Sequence, residues 1–343
     1  MANKNNIELK PREIFLRSLK GENVPRPATG SATSVVTMDL MDEVSVYFPE
    51  AHLDSVKMAN LAAAGHTVIG FDNVMPLFSV WHESAALGCK VDWGHCNRMP
   101  DCRGSIWGIE DPISIPRDFL QRTECQVPLR AIHRLKNEFG KEVAVVGKVF
   151  GPWTLGYHLF GVEEFLVNTL LKPEVVKKAL ETLKELTVLF ALAQIDAGAD
   201  ALCLADHATR DLCSPDAYRH FLLEIHKELN ERIPCPLILH ICGDTSDRIC
   251  FIRQTGIDCF HFDSKVPTVN ARQLAGPSLS LMGGTDNIGV IRNGNERIIR
   301  NDVREKIAAN IQVIGPECAV PLDAPYRNMQ VLVHEVHNFT RAT

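Results

Sequence analysis

The sequence predicts an α/β protein of the (β/α)8 class, a TIM barrel with an N-terminal extension, and three observations carry that reading. From Gly65 onward, short apolar runs alternate with longer helical patterns, as parallel strands joined by helical crossovers do. Seven such runs are legible, and an eighth is expected in the less regular region before Lys141, which suits a closed barrel better than an open sheet. The first run is followed by neither a Gly-rich dinucleotide fingerprint nor a Walker phosphate loop, and a strand-end turn accounts for the glycines of Leu281–Gly289.

In chain order, Lys10–Gly21 places Ile14, Phe15, Leu16 and Leu19 on a short helix that ends at a glycine. The expected strands are His66–Phe71, Val143–Val149, Ala201–Ala205, Pro236–Ile241, Cys259–Phe262, Leu279–Gly283 and Cys318–Leu322. Helices are expected over Val162–Leu171, Pro173–Ala197, Pro215–Arg232, Asp247–Thr255, Asn295–Val313 and Tyr326–Thr340. No repeat and no Pro/Gly/Ser-rich linker divides the 343 residues, so one domain is expected, with a helical extension over 1–64 and the barrel over 65–343.

Composition narrows the function. With 45% hydrophobic and 23% charged residues the chain is globular, and 36 basic against 42 acidic residues, without a basic run, argue against nucleic acid as a partner. No apolar stretch is long enough to cross a membrane, and residues 1–10 are polar and lack the apolar core of an export signal. Eleven cysteines scattered from Cys89 to Cys318 read as reduced thiols in a cytoplasm, each a buried apolar residue or a metal ligand.

The chemistry concentrates in LILHICGD, Leu237–Asp244, where an apolar strand ends in His240 and Cys242 before Gly243. Residues two apart on a strand share a face, so both project into the barrel mouth and offer half of a tetrahedral zinc site. The bland alternative is a buried cysteine beside a hydrogen-bonded core histidine. Cys318, in GPECAVPLDAP, begins an apolar run flanked by Gly and Pro, and is a candidate third ligand that a strand or loop at the same barrel end could bring to the same point. Asp206, His207, Asp286 and Asn287 also fall at strand ends, where they either line a substrate pocket or form turns and helix caps.

The pairing of HICG with a downstream, glycine-flanked cysteine resembles the His-x-Cys…Cys motif of the methylcobamide:coenzyme M methyltransferases, the methyltransferase branch of the uroporphyrinogen decarboxylase superfamily. PEAHLDSVKMANLA, Glu83–Gly94, Gly151–Leu155, Ala197–Asp206 and Ser214–Leu222 extend the likeness in order along most of the chain. The chain departs from that pattern at Glu317, beside the third cysteine, and at His207. The arginine-rich substrate loop of the true decarboxylases is missing around Val24–Ser34, so porphyrin decarboxylation is not expected.

The resemblance implies zinc on His240, Cys242 and Cys318, and a methyl group passed from a methylcobamide carried by a partner corrinoid protein to coenzyme M or a similar small thiol. In that reaction a zinc-bound thiolate attacks the methyl carbon on Co(III) and cob(I)amide leaves. Asp263, which aligns with an acidic residue of the related enzymes, is the expected fourth ligand when no thiol is bound; its other role is to cap the following turn. This chain carries no Asp-x-His-x-x-Gly cobalamin signature, hence the separate corrinoid partner. Arg210 is the nearest cation in sequence for a sulfonate, its other role being a surface ion pair. Two further readings stay open: a zinc-dependent thiol alkyltransferase whose electrophile is an epoxide, and a non-catalytic docking subunit for a corrinoid protein in which zinc pins loops.

Overall fold

The computed structural model describes residues 9–339, so residues 1–8 of the polar opening stretch and Thr340 lie outside it. Eight parallel strands form a nearly closed barrel: β1 Ala28–Thr29, β2 Asn73–Val74, β3 Ala144–Phe150, β4 Ala201–Ala205, β5 Leu237–His240, β6 Cys259–Phe262, β7 Ser280–Thr285 and β8 Val313–Pro316. Each pairs with its neighbour in sequence except β1 and β2, which flank the seam; β1 pairs instead with β8. Every residue of these strands is buried, since the interior packing covers one face and the helices the other. The 24-residue helix Pro173–Asp196, for example, lays Val176, Leu180, Leu183, Thr187 and Ala191 inward along one stripe.

The seam between β1 and β2 is closed largely by side chains. Asp72 accepts from the Thr29 N–H at 2.7 Å and from both Arg26 nitrogens at 2.7 and 2.8 Å. Asn73 accepts from the Ser31 N–H at 3.0 Å and donates to the Ser31 carbonyl at 2.8 Å. An Asp-Asn pair thus supplies bonds that a longer strand would draw from its backbone.

Four expectations shift. His66–Phe71 is the end of the helix Ser55–Thr67 and a turn through Gly70, so β2 begins later at Asn73, and the 64/65 boundary falls inside that helix. The N-terminal region is more than a helical extension, because Ala28–Thr29 supplies the first strand and with it the expected eighth. The last strand is Val313–Pro316: the helix Glu296–Ala308 stops early, Asn310 turns at φ +57°, and Val313 is free to pair with both Ala28 and Met282. The expected helix Pro215–Arg232 breaks at Leu222 into two. Among the described residues, no helix is long and apolar enough to cross a membrane.

Candidate metal centre

His240 closes β5 and Cys242 follows in the turn. Gly243 makes the turn at φ +81°, with Thr209 Oγ1 only 2.4 Å from where a Cβ would sit. The turn is held from the next strand by Asp263, which accepts from the Gly243 N–H at 2.8 Å. Cys318 lies two residues beyond the end of β8, in a loop held on both flanks. Glu317 accepts from the Ser264 N–H at 2.8 Å and the Asn287 N–H at 3.0 Å, while Asn287 Nδ2 donates to the Ala319 carbonyl at 2.9 Å. One carboxylate therefore joins the loops after β6, β7 and β8, and burial raises its pKa.

The three donors converge. His240 Nε2 lies 2.9 Å from Cys242 Sγ and 3.6 Å from Cys318 Sγ, and the two sulfurs are 3.0 Å apart. Among the described residues, these three form the only His/Cys/Asp/Glu group of three or more able to hold a metal, with ligand atoms all within 4.8 Å of one another. The contact with Cys242 and that with His240 hold the Cys318 thiol well below the usual range, while the same Cys318 contact and burial push Cys242 well above it. A tetrahedron of Zn–S about 2.3 Å and Zn–N about 2.0 Å has edges of roughly 3.5–3.8 Å, so a zinc ion fits once the two Cys242 edges open by less than about 1 Å. His261 stacks on His240 with centroids 4.5 Å apart and bonds the Pro316 carbonyl through Nε2 at 2.8 Å, while burial keeps it neutral by lowering its pKa.

Of the remaining expected residues, Asp206 and His207 line the cavity above the three donors and Asp286 and Asn287 do not. Asp206 is fully buried and accepts from the Thr154 N–H at 2.8 Å and His226 Nε2 at 3.0 Å. The His207 N–H donates to Thr154 Oγ1 at 2.7 Å, and desolvation and then His240 lower the pKa of its ring. Asp286 caps the following helical turn, accepting from the Ile288 and Gly289 N–H groups, and Asn287 steadies the Cys318 loop. Asp263 stands outside the three-donor group, with its second oxygen accepting from the Lys265 N–H at 2.9 Å. Arg210 is exposed and paired with Asp244 at 3.0 Å, away from the cavity.

The cavity holds about 310 Å³, and Phe78, Phe150, Met99 and Pro100 make much of its wall apolar. Sequence reasoning missed these residues and Lys148. For Lys148 a signal existed, a lone lysine inside the apolar run VVGKVF two positions before Phe150. Met99 and Pro100 come from the segment joining the short antiparallel pair Val91–Asp92 and Asp101–Cys102, which has no periodicity to read.

Gly243→Ala tests the turn. The positive φ and the Thr209 contact are expected to cost about 1–3 kcal/mol and to displace Cys242. Thermal unfolding with and without chelator checks this, and an unchanged midpoint under both conditions would contradict it.

The uroporphyrinogen decarboxylase (URO-D) family profile matches residues 10–339. A methylated-thiol–coenzyme M methyltransferase of Methanosarcina mazei is 32% identical over 95% of this chain and 89% of its own length. A methylcobamide:CoM methyltransferase of Methanosarcina acetivorans is 27% identical over 97% of this chain and 99% of its own. A solved methyltransferase structure from Methanosarcina mazei superposes with a TM-score of 0.93 at 28% identity, covering 97% of this chain and 99% of that one.

Proposed function

We propose that this chain, which belongs to the uroporphyrinogen decarboxylase (URO-D) family, is a zinc-dependent methyltransferase that moves a methyl group from a methylated corrinoid protein to the sulfur of coenzyme M or a similar small thiol. The observation that carries the reading is the convergence of His240, Cys242 and Cys318 at the C-terminal end of the barrel strands, on the wall of a cavity large enough for a short thiol. The names of the relatives support the methyl group and the acceptor.

A free alkyl thiol has a pKa of roughly 8.5 and is mostly protonated at neutral pH. Zinc held by the three residues would supply a deprotonated acceptor sulfur there. The residues do the rest. Two cysteinates and a neutral histidine bring two negative charges to a divalent ion, leaving the acceptor sulfur electron-rich, where three histidines would favour activated water. Asp263 fixes the Cys242–Gly243 turn and Glu317 the Cys318 loop, so the donors stay in place while the fourth position is left to the substrate. Phe78, Phe150 and Met99 make that side of the cavity apolar, and apolar surroundings preserve the nucleophilicity of an anionic sulfur. Methyl transfer forms the C–S bond as the methyl–cobalt bond breaks, with the electron pair staying on the corrinoid. The relative acting on a methylated thiol favours such a thiol as the original methyl source.

Zinc K-edge X-ray absorption on the purified protein tests this reading. Two sulfur ligands are expected without coenzyme M and three with it, together with demethylation of methylcobalamin by the thiol. A four-ligand shell that ignores the thiol would leave the docking-subunit reading, and thiol binding without methylcobalamin turnover would favour another electrophile.

A further inference from the structure

An ammonium group inside a barrel is unfavourable unless an opposite charge meets it. Lys148 occupies such a position. Gly147, where an added Cβ would meet Gln194 Oε1 of the outer helix at 2.4 Å, marks the outward face of β3, so Lys148 and Phe150 face inward. Lys148 is 3% exposed, and its Nζ stands 5.5 Å from the centroid of the Phe150 ring. Among the described residues this Nζ has no hydrogen-bond or ion-pair partner.

The other deeply buried cations are all satisfied. Lys306 bonds Asp302 at 2.6 Å, Lys184 lies between Glu181 and Glu228, and Arg248 donates to the Ala208 and Cys213 carbonyls at 2.6 Å each. The carboxyl group nearest in effect, Glu83, has one oxygen bound by the Phe150 N–H at 3.0 Å, and burial raises its pKa to about 7, so it is only partly charged at neutral pH. Desolvation lowers the pKa of Lys148, with Cys203, Glu83, Cys318 and Cys242 pulling the other way. Lys148 lines the same cavity as the three donor residues, and Arg210 is tied up at the surface.

We propose that Lys148 is the specificity-determining cation of this cavity, receiving the anionic end group of a short thiol whose sulfur lies at His240, Cys242 and Cys318. The inference rests on the thiol-methylation reading and deepens it. Lys148 and the three donors line one cavity of about 310 Å³, so a single small molecule can meet the ammonium at one end and the donors at the other. A largely apolar wall makes a single charge-assisted contact count for more than it does in water.

The test is isothermal titration of zinc-loaded protein with 2-mercaptoethanesulfonate, with 2-mercaptoethanol, which lacks the anion, and with ethanesulfonate, which lacks the thiol. In Lys148→Met, affinity for the sulfonate thiol is expected to fall about 10- to 100-fold, the preference over 2-mercaptoethanol to collapse and ethanesulfonate binding to vanish, with Lys148→Arg restoring part of each. Removing an uncompensated charge favours folding of the methionine variant, and Lys148→Gln gives the same readout if methionine packs badly. Equal losses for both thiols, or no loss for either, would overturn the inference. Binding needs no turnover, so the two readings fail separately. A wild type that discriminates through Lys148 but transfers no methyl group sinks the reaction alone, and an active wild type whose methionine variant discriminates fully sinks the lysine alone.

Discussion

Cys318→Ala is expected to purify with only trace zinc and to transfer methyl groups at least ~100-fold more slowly than the wild type, because even outer partners of zinc ligands cost about 10–100-fold when replaced. The cysteine sits on a loop beyond β8, so its loss leaves the barrel core untouched and circular dichroism should be unchanged. Asp263→Asn is the graded companion. It keeps an acceptor for the Gly243 N–H and should weaken zinc binding less than the cysteine change does. Metal analysis by mass spectrometry with a methylcobalamin assay decides the matter, and full zinc occupancy in Cys318→Ala would place the third ligand elsewhere.

The largest stability effect is expected at the barrel seam. Asp72→Ala strands the Arg26 guanidinium, whose side chain is 13% exposed, and leaves the Thr29 N–H without its carboxylate acceptor. Breaking a buried pair from one side typically costs about 3–5 kcal/mol. Urea unfolding reads it directly, with Asp72→Asn losing less because the amide oxygen still accepts from Thr29. A loss in Asp72→Ala below about 1 kcal/mol would mean that the two short strands close without the ion pair.

That seam also marks where the sequence stops being readable. Ala201–Ala205 and Cys259–Phe262 match their expected bounds because parallel strands buried on both faces read as unbroken apolar runs between turn residues. Ala28–Thr29 is two residues long, too short for any period, and it is a strand only because β8 pairs with it on one side and Asp72 bonds it on the other. Val313 and Ile314 read equally well as the tail of a helix, and the left-handed turn at Asn310 decides otherwise. In the candidate site, the shared face of His240 and Cys242 follows from strand geometry. The approach of Cys318 does not, because it depends on how strands far apart in sequence close. Asp286 was chemically plausible at a strand end but serves as a cap, a distinction set by backbone direction that residue type does not encode.

The placement of the third cysteine bears on synthesis as well as on chemistry. Two donors belong to β5 and its turn, whereas the last arrives only with β8, after two further strands have been laid down. A nascent chain that has emerged through β7 thus offers an incomplete chelate, with weak hold on metal. Loading would wait for the final strand to dock between its two neighbours, so a bound ion would report that the ring of strands has closed. From then on, the binding free energy of the ion would oppose reopening of the barrel.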